Sequence, residues 1–284
     1  MTHNTNQSTQ ALLKKHNLHI KKKFGQNFLV DDNTIQKIIR TADVNDQTTV
    51  IEVGPGLGAI SKSLQQNAKG LIAYEIDDDL IPVLNDMFSA VDNFKLYHKD
   101  FLKTTIDEDI DNVSFSSDKL TMVANLPYYI TTPILMKCLE SSKRINRLVL
   151  MTQYEVARRL TASKNTKDYN ALSVMIHYLT NATFEFKVSR NVFIPAPNVD
   201  SAVISLTRKE SLPDIDEAFF FDFIKQAFKQ KRKTLVNNLH AAYGLPKADI
   251  IKTLETESFN PSIRAEGISP QEFVNLSEIF KNIL

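Results

Sequence analysis

The chain of 284 residues has a single cysteine, Cys138. No disulfide framework and no Cys-rich metal site can be built from it, which fits a reducing cytosol, and its place in an apolar helical pattern marks it as packing. No segment approaches the roughly 18 apolar residues of a membrane span. The opening MTHNTNQSTQALLKKHNLHIKKK also lacks the apolar centre of a signal peptide, so a soluble, cytoplasmic protein is expected. Net charge is almost absent, +1 from 34 basic and 33 acidic residues, and names no partner by itself. Internal repeats and low-complexity tracts are missing. What remains is a chain with 43% hydrophobic residues, enough for one large domain and a smaller companion.

The charges that cancel overall are unevenly placed. Lys14, Lys15, Lys21, Lys22 and Lys23 all precede Asp31, the first acid, and Lys225, Lys229, Lys231, Arg232 and Lys233 crowd a second stretch. Acids gather at Asp77 to Asp79 and at Asp107 to Asp111. Such basic runs are usually solvated faces, and alone they favour nucleic acid only weakly.

Short apolar runs bounded by polar turns occur at TTVIEVG, GLIAYEI, FKLYHKD, LTMVANL and RLVLMTQ, and read as buried strands. Helical patterns fall between them, at residues 59–66, 79–88 and 133–141, with Pro133 suited to a first turn. Strand alternating with helix predicts an α/β, doubly wound, mostly parallel sheet with ligands at the carboxyl ends of its strands. FEFKVSR and SAVISLTR follow a helical pattern at 171–180 and are expected to close the far edge, at least one of them antiparallel. Beyond Arg208 the alternation stops. Residues 211–216 read as a linker, and helices are expected over 217–229, 233–243, 247–257 and 270–283. The expected organisation is a basic arm at 1–20, a sheet domain at 21–210 and a small all-α domain at 211–284.

Three of the seven glycines, Gly54, Gly56 and Gly58, lie in VIEVGPGLGAIS directly after the first strand, where the backbone must turn sharply and approach a ligand. Counted with Ala59, Gly54 and Gly56 also satisfy the dinucleotide fingerprint, and Glu75 stands where a ribose-binding acid belongs. A dehydrogenase therefore competes, as does a tight turn with no ligand. Glu52, two residues before Gly54, suits a ligand carrying an ammonium and a sulfonium better than a pyrophosphate. That favours S-adenosylmethionine, with Glu75 on the ribose hydroxyls and Asp100, after the third strand, accepting from the adenine amino group.

The stretch VANLPYYITTPI gives Asn125 an unusual setting, at the mouth of a core strand and before Pro127 and two tyrosines. An unpaired amide there costs a few kcal/mol unless it caps a turn or meets a ligand. An exocyclic adenine amine is a poor nucleophile because its lone pair is delocalised into the ring. Two acceptors on its hydrogens, the Asn125 side-chain oxygen and the Leu126 carbonyl, would oppose that delocalisation. Pro127 fixes the turn, and Tyr128 offers a face on which a base can stack. The alternative on these four residues alone is a turn-capping Asn with a core tyrosine behind it. Phe193, beside Pro195 and Pro197 on a stiff loop, suits a base-stacking wall or, alternatively, a core anchor for that loop.

KKKFGQNFL, IEVGPGLGAIS, YEID, NLPYYITTPI, FIPAPNVDSAV and KQKRKTLVNNL together resemble the small-subunit ribosomal RNA adenine dimethyltransferases, the KsgA/RsmA family. The resemblance runs from about Lys21 to RAEGIS near the C-terminus. It implies a Rossmann-like S-adenosylmethionine-dependent fold, with Asn27, Leu29, Gly54, Glu75, Asp100 and Asn125 at the cofactor. It also implies four methyl transfers onto two adjacent adenosines near the 3′ end of 16S RNA in an assembling small subunit, with the flipped adenine sandwiched between Phe193 and Tyr128. Lys21, Lys22, Lys23, Lys229, Lys231, Arg232 and Lys233 are the expected RNA-binding set, no metal is expected, and a monomer is expected. The similar Erm enzymes, which modify large-subunit RNA, and a non-catalytic assembly factor with a vestigial pocket are the rival readings.

Overall fold

A computed structural model describes residues 5–18, 20–21, 25–127 and 130–284. Lys22, Lys23 and Tyr128 of the expected site lie outside the described residues. The strands are β1 (Phe28–Leu29), β2 (Thr48–Val53), β3 (Gly70–Glu75), β4 (Phe94–His98), β5 (Lys119–Asn125), β6 (Ile145–Gln153), β7 (Thr180–Val188), β8 (Phe193–Ile194) and β9 (Ser201–Arg208). Seven of them form one sheet in the order β4-β3-β2-β5-β6-β9-β7. Every residue of β2 and β3 is buried, as a strand covered on both faces requires.

The ladders joining β4, β3, β2, β5 and β6 are parallel, and β9 runs antiparallel to β6 from Arg147 opposite Thr207 to Gln153 opposite Ser201. This is the mostly parallel sheet with an antiparallel far edge that the sequence predicts. From β2 the chain builds outward through β3 to β4, then crosses back to place β5 on the other side of β2. The order reverses between β2 and β5, whose ends meet with Val53 opposite Ala124. A crevice opens at the carboxyl ends of two such strands.

Sequence reading missed two elements, of which the second brings Phe28 and Leu29 to that crevice. The helix Asp32–Ala42 is capped by Asp31, whose Oδ2 accepts from the Thr34 amide at 2.7 Å. It buries Ile35, Ile38, Ile39 and Ala42, one stripe at helical spacing. The second is a two-residue antiparallel pairing of β1 with β8, Phe28 opposite Ile194 and Leu29 opposite Phe193. After β5, the helix Thr131–Ser141 finishes under Arg208, whose guanidinium donates to the carbonyls of Cys138, Leu139, Ser142 and Ile145 at 2.8 to 3.3 Å. The last carbonyls of a helix have no partner within it. Burial pushes the Cys138 thiol up to about 12, so it is a packing residue as expected.

The chain divides into two compact units, Met1–Ala157 with Thr183–Arg208, and Arg158–Ala182 with Lys209–Leu284. The expected division near 210 is thus one of several crossings: the helix Ala171–Leu179, which the alternating pattern assigns to the sheet, groups with the C-terminal helices. Within that second unit the helices Ala171–Leu179, Glu217–Ala227, Leu235–Tyr243, Lys247–Thr256 and Pro270–Lys281 share an aromatic interior. Phe223 lies 5.6 Å from Phe280, ring to ring, and Tyr178 4.6 Å from Phe220.

Lys229 and Lys233 do not lie at helix ends as expected, and the whole basic cluster with Lys231 and Arg232 stands outside the helices. It occupies the turn between Ala227 and Leu235, where Thr234 caps the next helix through the Asn237 amide. A threonine at that place begins a helix more readily than the lysine before it. The Asn238 side chain ties the turn down by donating to the Ala227 carbonyl at 2.7 Å. All four cations are exposed.

Candidate active site

At the β2/β5 crevice lies a cavity of about 280 Å³. Its walls include Asn27, Leu29, Glu52, Gly54, Gly56, Glu75, Asp100, Asn125 and Pro127, so every residue expected at the cofactor is brought together. The loop after β2 is held by the Gly54 amide donating to the Tyr74 carbonyl at 2.9 Å. Gly54 has φ of +72°, and a Cβ built there would meet nothing within 4 Å. The left-handed backbone favours glycine, and the open space beside it is room for a ligand. At Gly58, φ of +75°, a Cβ would fall 2.7 Å from the Met87 sulfur. The flexible Met87 side chain could move aside, so it is the left-handed backbone that favours glycine there.

Glu75 ends β3 and turns its carboxylate back on the loop. Oε2 accepts from the Gly56 amide at 3.2 Å, and Oε1 accepts from the Ile76 and Asp77 amides at 2.8 and 2.9 Å. Burial raises its pKa, and those three amides oppose the rise. Asp100 begins a short turn, accepting from the Leu102 amide at 3.0 Å, and remains about one third exposed.

Glu52 is the electrostatic anomaly. It is buried, and its Oε2 has no hydrogen-bond partner among the described residues. Burial pushes its carboxyl up to about 8; the nearby Ser61 hydroxyl opposes the shift and Glu75 adds to it. A buried acceptor without a donor, on the wall of an open cradle, suits a cationic group.

Asn125 closes the far side. Its Nδ2 donates to the Asn27 carbonyl at 3.2 Å, which orients the amide with Oδ1 on its other side. The neighbouring Leu126 is buried, and its amide donates to the Met151 carbonyl at 3.2 Å, while the Pro127 carbonyl accepts from the Ile130 amide at 3.1 Å. The turn is fixed from β6 and from the helix after it.

Phe193 is not on the cavity wall. It is 4% exposed and packs with Leu29, Val123, Met151 and Val203, because pairing of β8 with β1 carries its side chain into the core. Its backbone partner Leu29 is the residue that lines the cavity. Lys21 is engaged too, its Nζ donating to Asp77 and lying 2.6 Å from Asp79. Those hydrogen bonds hold its pKa up at about 12. Gln26 donates to the other Asp77 oxygen at 2.6 Å, so the segment before β1 is strapped to the acidic loop after Glu75. Sequence reading missed Gln26 and also the apolar walls Leu57, Ile60, Leu80 and Phe101. The acids at Asp77 to Asp79 were visible; that Asp77 and Asp79 pair with Lys21 was not.

Among the described residues no group of acids, histidines or cysteines could hold a metal, and no helix is long and apolar enough to cross a membrane. Solved structures of similar fold include the 23S rRNA methyltransferase ErmE, at TM-score 0.70 and 28% identity over 89% of this chain and 98% of that one. Another is a dimethyladenosine transferase from Plasmodium falciparum, at TM-score 0.76 and 25% identity over 90% and 98%. The fold is the Rossmann-like methyltransferase sheet with a helical C-terminal region. The cavity fits S-adenosylmethionine, with Gly54 leaving room and Glu52 offering an unpartnered acceptor. The dinucleotide alternative falls away with that assignment. Proteins called ribosomal RNA small subunit methyltransferase A match over nearly full length. The one from Streptococcus thermophilus (strain CNRZ 1066) is 44% identical over 96% of both chains, and the one from Lactococcus lactis 44% identical over 95% and 93%. The model of the ribosomal RNA adenine dimethylase family matches residues 17–282, and the chain belongs to that family, in its KsgA/RsmA branch.

Proposed function

We propose that this enzyme dimethylates the N6 amines of two adjacent adenosines near the 3′ end of 16S rRNA, within an immature small ribosomal subunit. The observation that carries the reading is the fixed amide of Asn125 at the mouth of a cavity walled by Gly54, Glu75 and Asp100. When bound there, S-adenosylmethionine supplies an electrophilic methyl group on a sulfonium. Glu75 holds the ribose hydroxyls, Asp100 the adenine amino group, and Glu52 the cationic end.

In the first transfer the Asn125 Oδ1 and the Leu126 carbonyl accept from the two hydrogens of the target amine and hold its lone pair toward the methyl; in the second the amine has one hydrogen left and donates it to one of these acceptors, and each transfer leaves S-adenosylhomocysteine. Acceptors placed before reaction cost no reorganisation during it. Once alkylated the nitrogen is cationic and loses its proton to solvent, so no histidine or cysteine base is needed. Tyr128 stacks on the extruded base. Phe193, being buried, serves by holding β8 against β1 and so placing Leu29. Lys229, Lys231, Arg232 and Lys233, exposed on one turn, bind rRNA phosphates; Lys21 is matched by two aspartates and is left out of that surface. The enzyme acts as a cytoplasmic monomer.

Mapping modified adenines on rRNA from a strain lacking the gene tests the assignment. Loss of dimethylation at adjacent 16S adenines, restored by the gene, is expected. Loss confined to 23S RNA would move the enzyme to Erm-like chemistry, and unchanged rRNA would leave only a binding role.

A further inference from the structure

The N-terminal segment carries lysines and no acid before Asp31, which on charge alone makes it an arm for RNA. The structure places it elsewhere. Residues Thr5–Lys15 form a helix, upstream of the residues matched by the family model, which begin at 17. Thr9, Leu12 and Leu13 stand at i, i+3 and i+4 and so share one face. Leu12 and Leu13, with Leu18 after the helix, pack against Phe28, Leu57, Leu80 and Val83. Asn17, at φ of +47°, turns the chain, and the Leu18 amide returns to the Leu13 carbonyl at 2.9 Å.

Phe28, Leu57 and Leu80 are themselves walls of the cofactor cavity. The leucines therefore press on the side chains that shape it, and the same face delivers Thr9 to the cavity, where it is 2% exposed. The helix's ion pair, Lys15 with Asp86, is about two thirds exposed on both sides. An exposed pair contributes little, so the attachment is apolar.

We infer that the helix Thr5–Lys15 is a wall of the cofactor site, with Thr9 a cofactor-contact residue, and is not an RNA-binding arm. Covering one side of the cavity removes ligand surface from water, and burial of most of a ligand's surface is what small-molecule sites share. The Thr9 hydroxyl adds a polar group on a wall otherwise lined there by Leu57 and Leu80.

The inference rests on the cofactor assignment, and calorimetric binding of S-adenosylmethionine and S-adenosylhomocysteine to the full chain separates the two. Failure of the wild type to bind either ligand would remove the assignment itself. Given binding, the double variant Leu12→Ser, Leu13→Ser, which releases the helix, should weaken both ligands roughly tenfold or more. Thr9→Val, nearly isosteric, should weaken them about three- to tenfold by loss of one hydrogen bond, with an unchanged melting temperature for the ligand-free protein. Binding of small-subunit RNA should stay within about twofold in both variants, since neither removes a cation. Cofactor affinity equal to wild type in both variants would overturn the inference, as would RNA affinity falling while cofactor affinity holds.

Discussion

The Asn125 side chain donates to the backbone carbonyl of Asn27 at 3.2 Å across 98 residues of sequence. One bond thereby joins the segment before β1 to the end of β5, and it commits the Asn125 nitrogen to the protein. The oxygen is the half of the amide not used in that bond, and the proposed function gives it to the target amine. Asn125→Ala is expected to slow single-turnover methyl transfer on the order of a hundredfold, the usual effect of deleting one pre-set polar group that acts on the transition state. S-adenosylmethionine affinity should change by only a few fold. Transfer within threefold of wild type would show that the target amine is oriented by something else.

Glu75→Ala removes an acceptor for the ribose together with the partner of the Gly56, Ile76 and Asp77 amides. A charged hydrogen-bonding partner is worth roughly 1.5 to 3 kcal/mol, so cofactor affinity should fall at least tenfold by calorimetry. The melting temperature of the ligand-free protein should fall as well, because three amides lose their acceptor. Unchanged affinity would contradict the role given to the carboxylate.

Much of this was legible because it is local. TTVIEV and GLIAYE are short runs rich in apolar and β-branched residues that read as buried strands, and the spacing of Gly54, Gly56 and Gly58 to Glu75 favoured a ligand loop over a bare turn. Long-range partners have no such signature. Nothing in KKKFGQNFL says that Lys21 and Gln26 will meet Asp77, or that Leu29 will pair with Phe193. Phe193 looked like a stacking wall because prolines follow it closely, and its burial follows from a two-residue pairing too short to leave a pattern. The lysines before Asp31 drew attention to charge, whereas Leu12 and Leu13 decide where that helix goes. In KQKRKTLVNNL the basic residues hid a helix cap at Thr234.

Cofactor binding is expected to depend on pH through Glu52. With its carboxyl pushed from 4.5 to about 8 by burial, the empty site holds a proton at neutral pH, and seating a cationic ligand beside it must release that proton. Affinity for S-adenosylmethionine should therefore rise as pH approaches about 8 and then level off, and the rise should flatten in Glu52→Gln. The unfolded chain loses the same proton near 4.5, so the ligand-free protein should lose stability between about 4.5 and about 8. Calorimetry in two buffers of different ionisation enthalpy reads the proton release directly.

The turn carrying Lys229 to Lys233 offers a test of RNA binding, at the cost of the exposed bond from the Lys231 ammonium to the Lys167 carbonyl at 2.8 Å. Lys231 and Lys233 are exposed, and the turn is held by Thr234 and Asn238. Reversing both lysines to glutamate should weaken binding to immature small subunits steeply at low salt and much less at high salt. For every phosphate no longer neutralised by a lysine, the slope should flatten by roughly 0.7 to 0.9 units of log affinity per log salt, with cofactor affinity unchanged. Filter binding across a salt series that gives the wild-type slope for the double reversal would take this turn off the RNA surface.

Assembly of the helical unit from two stretches, Arg158–Ala182 and Lys209–Leu284, bears on how the chain leaves the ribosome. Tyr169 donates to the Ile268 carbonyl at 2.8 Å, and Tyr178 packs on Phe220. Synthesis delivers both tyrosines early and Ile268 only near the end. A nascent chain that has completed the sheet through Arg208 still presents Tyr169 without its acceptor and Tyr178 without its ring partner. That interval is the one in which a chaperone would find apolar surface to hold, because domains fold as units and exposed intermediates aggregate. A truncation at Arg208 would make the interval permanent, so the sheet domain cannot be isolated by cutting the chain once.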